Sequence, residues 1–223
     1  MHIKYSALFF IVMIIGFLSC KNNDNVFKPV TYTDLTVVNA TADTLNFYLD
    51  GTRQNNSSSL HPGGLAVHTA VFAGSQNFQF KKVGSASVLL NIPLKLNPNV
   101  FNSLYIAGET PDKVFNTLDT LVTDALPNLA TVRFVNASPD AGNLTVTIGD
   151  TTYVKSSPFK SSSGFFIAGS GQKVIKVYQF GGALPKIDTI IAFQANRAYT
   201  LFSEGLLNGK GNSAFRVGII LNQ

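Results

Sequence analysis

From about residue 32 onward the chain alternates in steps of two. Leu45, Phe47 and Leu49 take turns with Asn46, Tyr48 and Asp50; far downstream, Leu144, Val146 and Ile148 take turns with Thr145, Thr147 and Gly149. A period of two puts every second side chain on one face, as a strand with one buried face requires. Both runs end in turn chemistry, Asp50-Gly51 and Gly149-Asp150, followed by more strand-like sequence, which predicts hairpins. Further short runs lie at 67–72, 78–83, 87–92, 104–107 and 113–122, then at 131–136, 164–168, 173–180, 189–193, 199–203 and 215–221. Clusters of Gly, Asn, Ser and Pro separate them. Only 111–126 tempts a helical reading; Thr117, Thr120 and Thr123 make it a poor helix interior, and it fits a last strand leading into a linker.

The pattern is written twice. Val38-Asn39-Ala40-Thr41-Ala42-Asp43 returns as Val135-Asn136-Ala137-Ser138-Pro139-Asp140, and Ala73-Gly74-Ser75 returns as Ala168-Gly169-Ser170. Tyr105, followed by Glu109, matches Tyr199, followed by Glu204. Matches in one order at nearly one offset indicate a duplication. About seven short strands in each copy is the arithmetic of a β-sandwich. The expected organisation is a signal peptide at 1–19, a lipidated cysteine and polar tether at 20–31, and sandwiches at 32–126 and 127–223.

Residues 7–18 read ALFFIVMIIGFL. A membrane span needs about 20 apolar residues, so this run suits the apolar region of a secretory signal. It ends in Phe17-Leu18-Ser19-Cys20, which resembles the lipobox of bacterial lipoproteins, with Cys20 as the lipidated residue. The polar run after it loosely resembles the surface-export signal of Bacteroidetes lipoproteins. The expected address is the cell envelope, as an outer-membrane lipoprotein, with the membrane as a partner through the lipid.

Composition narrows the rest. A chain that is 45% hydrophobic and 13% charged is too apolar for disorder and too poorly charged for a coiled coil. The net charge of +5 is small and scattered, so no nucleic-acid partner is expected. Cys20 is the only cysteine, which excludes a disulfide within the chain.

Residues 132–141, Val-Arg-Phe-Val-Asn-Ala-Ser-Pro-Asp-Ala, then Leu144-Thr145-Val146, a turn and a later Phe-Ile-Ala-Gly-Ser, resemble the bacterial domain-of-unknown-function family 4397. The resemblance implies an immunoglobulin-like sandwich in an envelope protein. It carries no catalytic residues and no reaction. The expected fold class is therefore all-β: two tandem immunoglobulin-like β-sandwich domains after a lipoprotein signal peptide.

No residue set assembles a catalytic constellation, a metal site or a cofactor site. Glu109 and Glu204 take corresponding places in the two copies, so each lies in its own domain instead of forming a glycosidase pair. His61 and His68 lack further ligands and read as loop and edge-strand residues. Ser170, between Gly169 and Gly171, reads as a hairpin turn. Asp43 and Asp140 read as Asx-type turn residues. The Asp-Thr-hydrophobic triplets at Asp43, Asp119 and Asp188 resemble an O-glycosylation signal. Phe165 and Phe166 are adjacent, so one must point away from its own core. The binding candidates are Asn136, Asp140 and Asn143 with their counterparts Asn39 and Asp43, and the Phe165-Phe166 pair. The expected function is non-catalytic binding or adhesion to a protein or glycan partner. The alternative is a glycan-binding accessory protein with an aromatic platform such as Tyr153 or Tyr178.

Overall fold

The computed structural model describes residues 30–119 and 127–222. The expected signal peptide, Cys20, most of the tether and linker residues 120–126 lie outside the described residues. Thr31–Gln223 form one compact unit. Its first copy runs β1 Tyr32–Asn39, β2 Leu45–Leu49, β3 Thr52–Arg53, β4 Leu65–Phe72, β5 Gly74–Lys82, β6 Leu90–Leu96, β7 Phe101–Ile106 and β8 Val114–Leu118. Its second runs β9 Leu129–Asn136, β10 Leu144–Ile148, β11 Thr151–Ser157, β12 Phe166–Gly169, β13 Gly171–Gln179, β14 Pro185–Phe193, β15 Ala198–Glu204 and β16 Arg216–Leu221.

Each copy is a sandwich of two four-stranded sheets. The first has orders β4-β1-β7-β8 and β3-β2-β5-β6; the second has β12-β9-β15-β16 and β11-β10-β13-β14, every strand eight further on. The central pairs β1/β7 and β9/β15 are parallel, and the remaining neighbours are antiparallel. Both predicted hairpins form, with Leu49 opposite Thr52 and Ile148 opposite Thr151. Asp50 and Gly51 both take positive φ, 46° and 83°, which matches the twist of the flanking strands.

Four expectations change. Each copy has eight strands where about seven were expected; in the first copy the added strand is β1, which is buried on both faces and so shows no alternation. The 113–122 run begins with a 3-10 turn at Pro111–Lys113 and its strand stops at Leu118. Ser170 is no hairpin: β12 pairs with β9 while β13 pairs with β10, so Gly169-Ser170-Gly171 is the corner where the chain changes sheets. Finally, Tyr105 does not match Tyr199. Tyr105 stands opposite Val38 and Phe202 opposite Val135, each 97 residues on (38 to 135, 105 to 202). Glu204 thus corresponds to Ala107, and Glu109 lies two positions beyond it; the glutamates are not duplicates.

Each sandwich has its own core, Leu35, Val37, Phe47, Phe78, Phe80 and Leu104 in the first, Val132, Phe134, Val146, Ile175, Val177 and Leu201 in the second. A third cluster joins them: Val38, Ala40, Tyr105 and Ala107 pack against Val135, Ala137, Phe202 and Ile220. The inner sheets β4-β1-β7-β8 and β12-β9-β15-β16 therefore lie on each other. Aromatic rings continue across the seam, Tyr105 stacking on Phe115 at 5.0 Å and meeting Phe202 edge-on at 6.1 Å, with Phe115 edge-on to Phe159 at 5.9 Å. The Tyr105 hydroxyl has no hydrogen-bond partner among the described residues, and burial pushes its pKa far above the ordinary phenol value.

The seam also holds a buried ion pair. Arg133 of the second copy and Asp119 of the first have side chains only 3% and 4% exposed. The Arg133 guanidinium donates to Asp119 Oδ1, to Leu118 O at 3.1 Å and, through Nε, to Thr200 Oγ1 at 2.8 Å. Asp119 also accepts from Ser103 Oγ at 2.7 Å and Thr117 Oγ1 at 3.1 Å, so its carboxylate is fully engaged.

Candidate functional site

Because the central strands of both inner sheets end side by side, the turns that follow them converge. Ala40, Thr41, Ala42 and Asp43 after β1 and Ala107, Glu109 and Thr110 after β7 face Pro139, Gly205, Leu206 and Ser213 of the second copy. Gly205 N donates to Ala40 O at 3.2 Å across the seam. Between these turns opens a mostly apolar cleft of about 290 Å³. It lies at the opposite end of β1 from Tyr32, where the chain comes in.

The candidate residues divide by role. Asn39 and Asn136 are fully buried and hold their loops together. Asn39 Nδ2 donates to Asp43 O at 2.6 Å and Leu60 O at 2.8 Å, while its Oδ1 accepts from Thr41 N at 3.0 Å. Asn136 Nδ2 donates to Gly142 O and Ser157 O, both at 2.9 Å, and its Oδ1 accepts from Ser138 N at 3.1 Å and Ser203 Oγ at 2.9 Å. Neither offers a group to a ligand, so as binding candidates both are corrected. They, and not the aspartates, make the Asx turns. Asp140 instead accepts from Leu207 N at 2.9 Å and ties its loop to the segment after β15. Asn143 is exposed and donates to Ser156 Oγ at 2.8 Å.

Asp43 stands on the cleft rim. Lys82 Nζ bridges it at 2.9 Å and Glu109 at 3.0 Å. The hydrogen bond to Asp43, then that to Glu109, raises the Lys82 pKa above 10.5. For a base whose folded pKa is raised, the stabilisation is complete below the unfolded value and fades as pH climbs through the folded one. The rim bridge is therefore expected to persist through neutral pH and to open only above 10.5, followed by NMR titration of the Lys82 side chain.

The two glutamates each have their own base. Glu204 is 6% exposed, with Arg216 Nε 3.0 Å from its Oε1; Oε2 has no partner among the described residues. It presses on the first copy: a Cβ on Gly63, whose φ is +74°, would come within 2.7 Å and 2.8 Å of the two carboxylate oxygens. A Gly63→Ala variant is expected to lose about 1–3 kcal/mol, combining left-handed strain with this clash, measurable by urea unfolding.

His61 and His68 do not meet at a metal. His68 Nδ1 lies 3.2 Å from Asp34, His61 Nδ1 is 3.4 Å from Thr44 Oγ1, and among the described residues no group of three or more His, Cys, Asp or Glu could hold a metal ion. Of the triplet aspartates, Asp119 is buried in the seam, Asp43 sits on the rim and Asp188 is exposed.

Phe165 and Phe166 face opposite ways. Phe166 stacks on Tyr153 at 4.5 Å and packs against the second core. Phe165 turns to the seam, 5.0 Å over the Arg133 guanidinium. Replacing Phe166 by alanine is expected to cost about 2 kcal/mol, for a half-buried ring, and Phe165→Ala less. Thermal melts of both variants check this.

The reading from sequence missed Glu109, Lys113 and Leu206 as cleft residues. Tyr153 is taken up by Phe166, whereas Tyr178 lines an open groove of about 450 Å³ on the outer sheet, with Thr145, Thr147, Lys155 and the exposed ring of Phe180.

The family described as Domain of unknown function (DUF4397) matches residues 130–217, so the second copy is similar to that family. No curated protein matches the chain. Among solved structures it is similar to the carbohydrate-binding module CBMbc (family CBM26) of Eubacterium rectale Amy13K in complex with maltoheptaose, at 10% identity, covering 82% of this chain and 95% of that one, with a TM-score of 0.27. The Bacillus anthracis TIE protein follows at 9% identity, 77% and 33% coverage and a TM-score of 0.25. A leucine-rich repeat protein from Bacteroides thetaiotaomicron gives 13%, 76% and 25%, and 0.19.

Proposed function

Taking residues 130–217 as a domain of that family, we propose that the protein is a non-catalytic binding module of the cell envelope, held by lipid on Cys20, that presents the cleft between its two copies to an outside partner. One observation carries the reading: the duplicated turns after β1 and β9, far apart in sequence, help line a single cleft at the end away from the incoming chain. Turns on a rigid scaffold are the usual place for recognition. Protease shaving of intact host cells, with mass analysis of Cys20, tests the address. Cleavage together with acyl mass supports an outward-facing anchored module; protection with acyl mass points to a periplasmic partner, and absence of acyl mass removes the anchor. Leu206→Lys, which puts a charge into the cleft, should abolish partner retention on host envelope material while the melting temperature stays unchanged.

The second reading, glycan capture, is favoured by the open groove at Tyr178. Its ring, the neighbouring threonine hydroxyls and the Lys155 amine are the chemistry a sugar face and its hydroxyls require. A glycan array with no hits, or hits unaltered by Tyr178→Ala, would count against it.

A further inference from the structure

The two copies share one strand order, so the second copy tells what the fold needs at each position of the first. At the end of the inner sheet where the chain comes in, Tyr32 begins β1, Phe72 ends β4 and Phe101 begins β7. Tyr32 stands opposite Phe72 and their rings lie 5.1 Å apart. Phe101 stands opposite Asp34, two residues from Tyr32 and therefore on the same face. The three rings are 52%, 49% and 38% exposed, and Tyr32 and Phe101 flank a shallow hollow of about 280 Å³. The second copy, paired the same way, holds Leu129, Gly169 and Ala198 at these positions. These positions share the face of Val38 and Tyr105, which turns toward the second copy, but at this end of the seam the three rings stay exposed, and an exposed apolar cluster of this kind marks an interaction surface.

Chain direction says which surface meets it. Thr31 O accepts from Ala73 N at 2.9 Å and Tyr32 O from Asn99 N at 3.0 Å, which clamps the incoming chain beside the rings. The stretch from Cys20 to Thr31 reaches at most about 40 Å when fully extended. β1 then carries the cleft about 26 Å further off, at about 3.3 Å per residue. The aromatic end is where the tether enters, so it is the end that a bilayer holding Cys20 can meet with the least extension of the tether.

We propose that Tyr32, Phe72 and Phe101 form a lipid-contact patch that rests on the bilayer interface and keeps the cleft turned outward; this rests on the anchored reading above. Tyr32, with an apolar ring and a polar hydroxyl, suits that boundary, and the rings of Phe72 and Phe101 suit its apolar side.

The sequence has no Trp, so a single introduced one reports alone. The full chain, purified from host membranes as Phe72→Trp, Phe101→Trp or Phe180→Trp, is reconstituted in phosphatidylcholine vesicles with and without brominated phosphatidylcholine. Phe180 is the control, exposed at the far end of β13. Brominated lipid is expected to lower emission about twofold for the first two variants and to leave the third unchanged, since interfacial burial reaches about 5–10 Å. Equal responses from all three overturn the patch. Mass analysis of Cys20 in the same preparation separates the two ideas: acyl mass with equal responses keeps the anchor and removes the patch, while selective quenching without acyl mass does the reverse. A dimer that Phe72→Glu dissociates, with no lipid response, would assign the face to a second copy and overturn the proposal.

Discussion

Replacing Arg133 by methionine is expected to destabilise the protein by about 3–5 kcal/mol, because it leaves the Asp119 carboxylate buried without its counter-charge. Both side chains are almost fully enclosed, and the loss also removes the donors to Leu118 O and Thr200 Oγ1. Hydroxyls from Ser103 and Thr117 still reach Asp119, but they do not neutralise it. Urea unfolding measures the loss. The double variant Arg133→Met with Asp119→Leu should recover most of it, since an apolar pair of similar volume removes the charge that must be desolvated. If the single variant lost under 1 kcal/mol, as a solvated pair does, the seam between the copies would be open to water.

Substituting Asn39 or Asn136 by alanine is expected to cost about 2–4 kcal/mol each, through buried groups left unpaired at about 1–3 kcal/mol apiece. Removing Asn136 strips the donor from Gly142 O and Ser157 O and the acceptor from Ser138 N. Removing Asn39 does the same to Asp43 O, Leu60 O and Thr41 N. Asn143→Ala, which gives up one exposed bond to Ser156, should stay within about 0.5 kcal/mol. Thermal melts of the three variants separate loop-building asparagines from a surface one. Partner binding lost in Asn136→Ala would then follow from the collapsed turn, not from a direct contact.

Strands, hairpins and duplication were legible because each is a short-range property. Alternation at 45–49 and 144–148 fixes which face is buried, and Asp50-Gly51 permits the positive φ that a tight turn needs. The join between the copies left a fainter trace. Val37-Val38 and Phe134-Val135 are adjacent apolar pairs that break the period of two, as a strand buried on both faces must. Arg133 inside such a strand was the mark of a buried partner. Nothing local could name Asp119, since pairing two charges across a seam depends on how separate sheets stack.

Alternation, repeat spacing and turn residues along the chain are enough to establish an all-β protein with a duplicated pattern and to place its main turns. That the inner sheets lie face to face, that Asn39 and Asn136 are buried braces, and that Glu109 and Leu206 share a cleft emerges from the packing of the folded chain. The difference is one of range: backbone torsion and side-chain alternation act within a few residues, whereas a cleft is a property of surfaces that meet after both copies have folded.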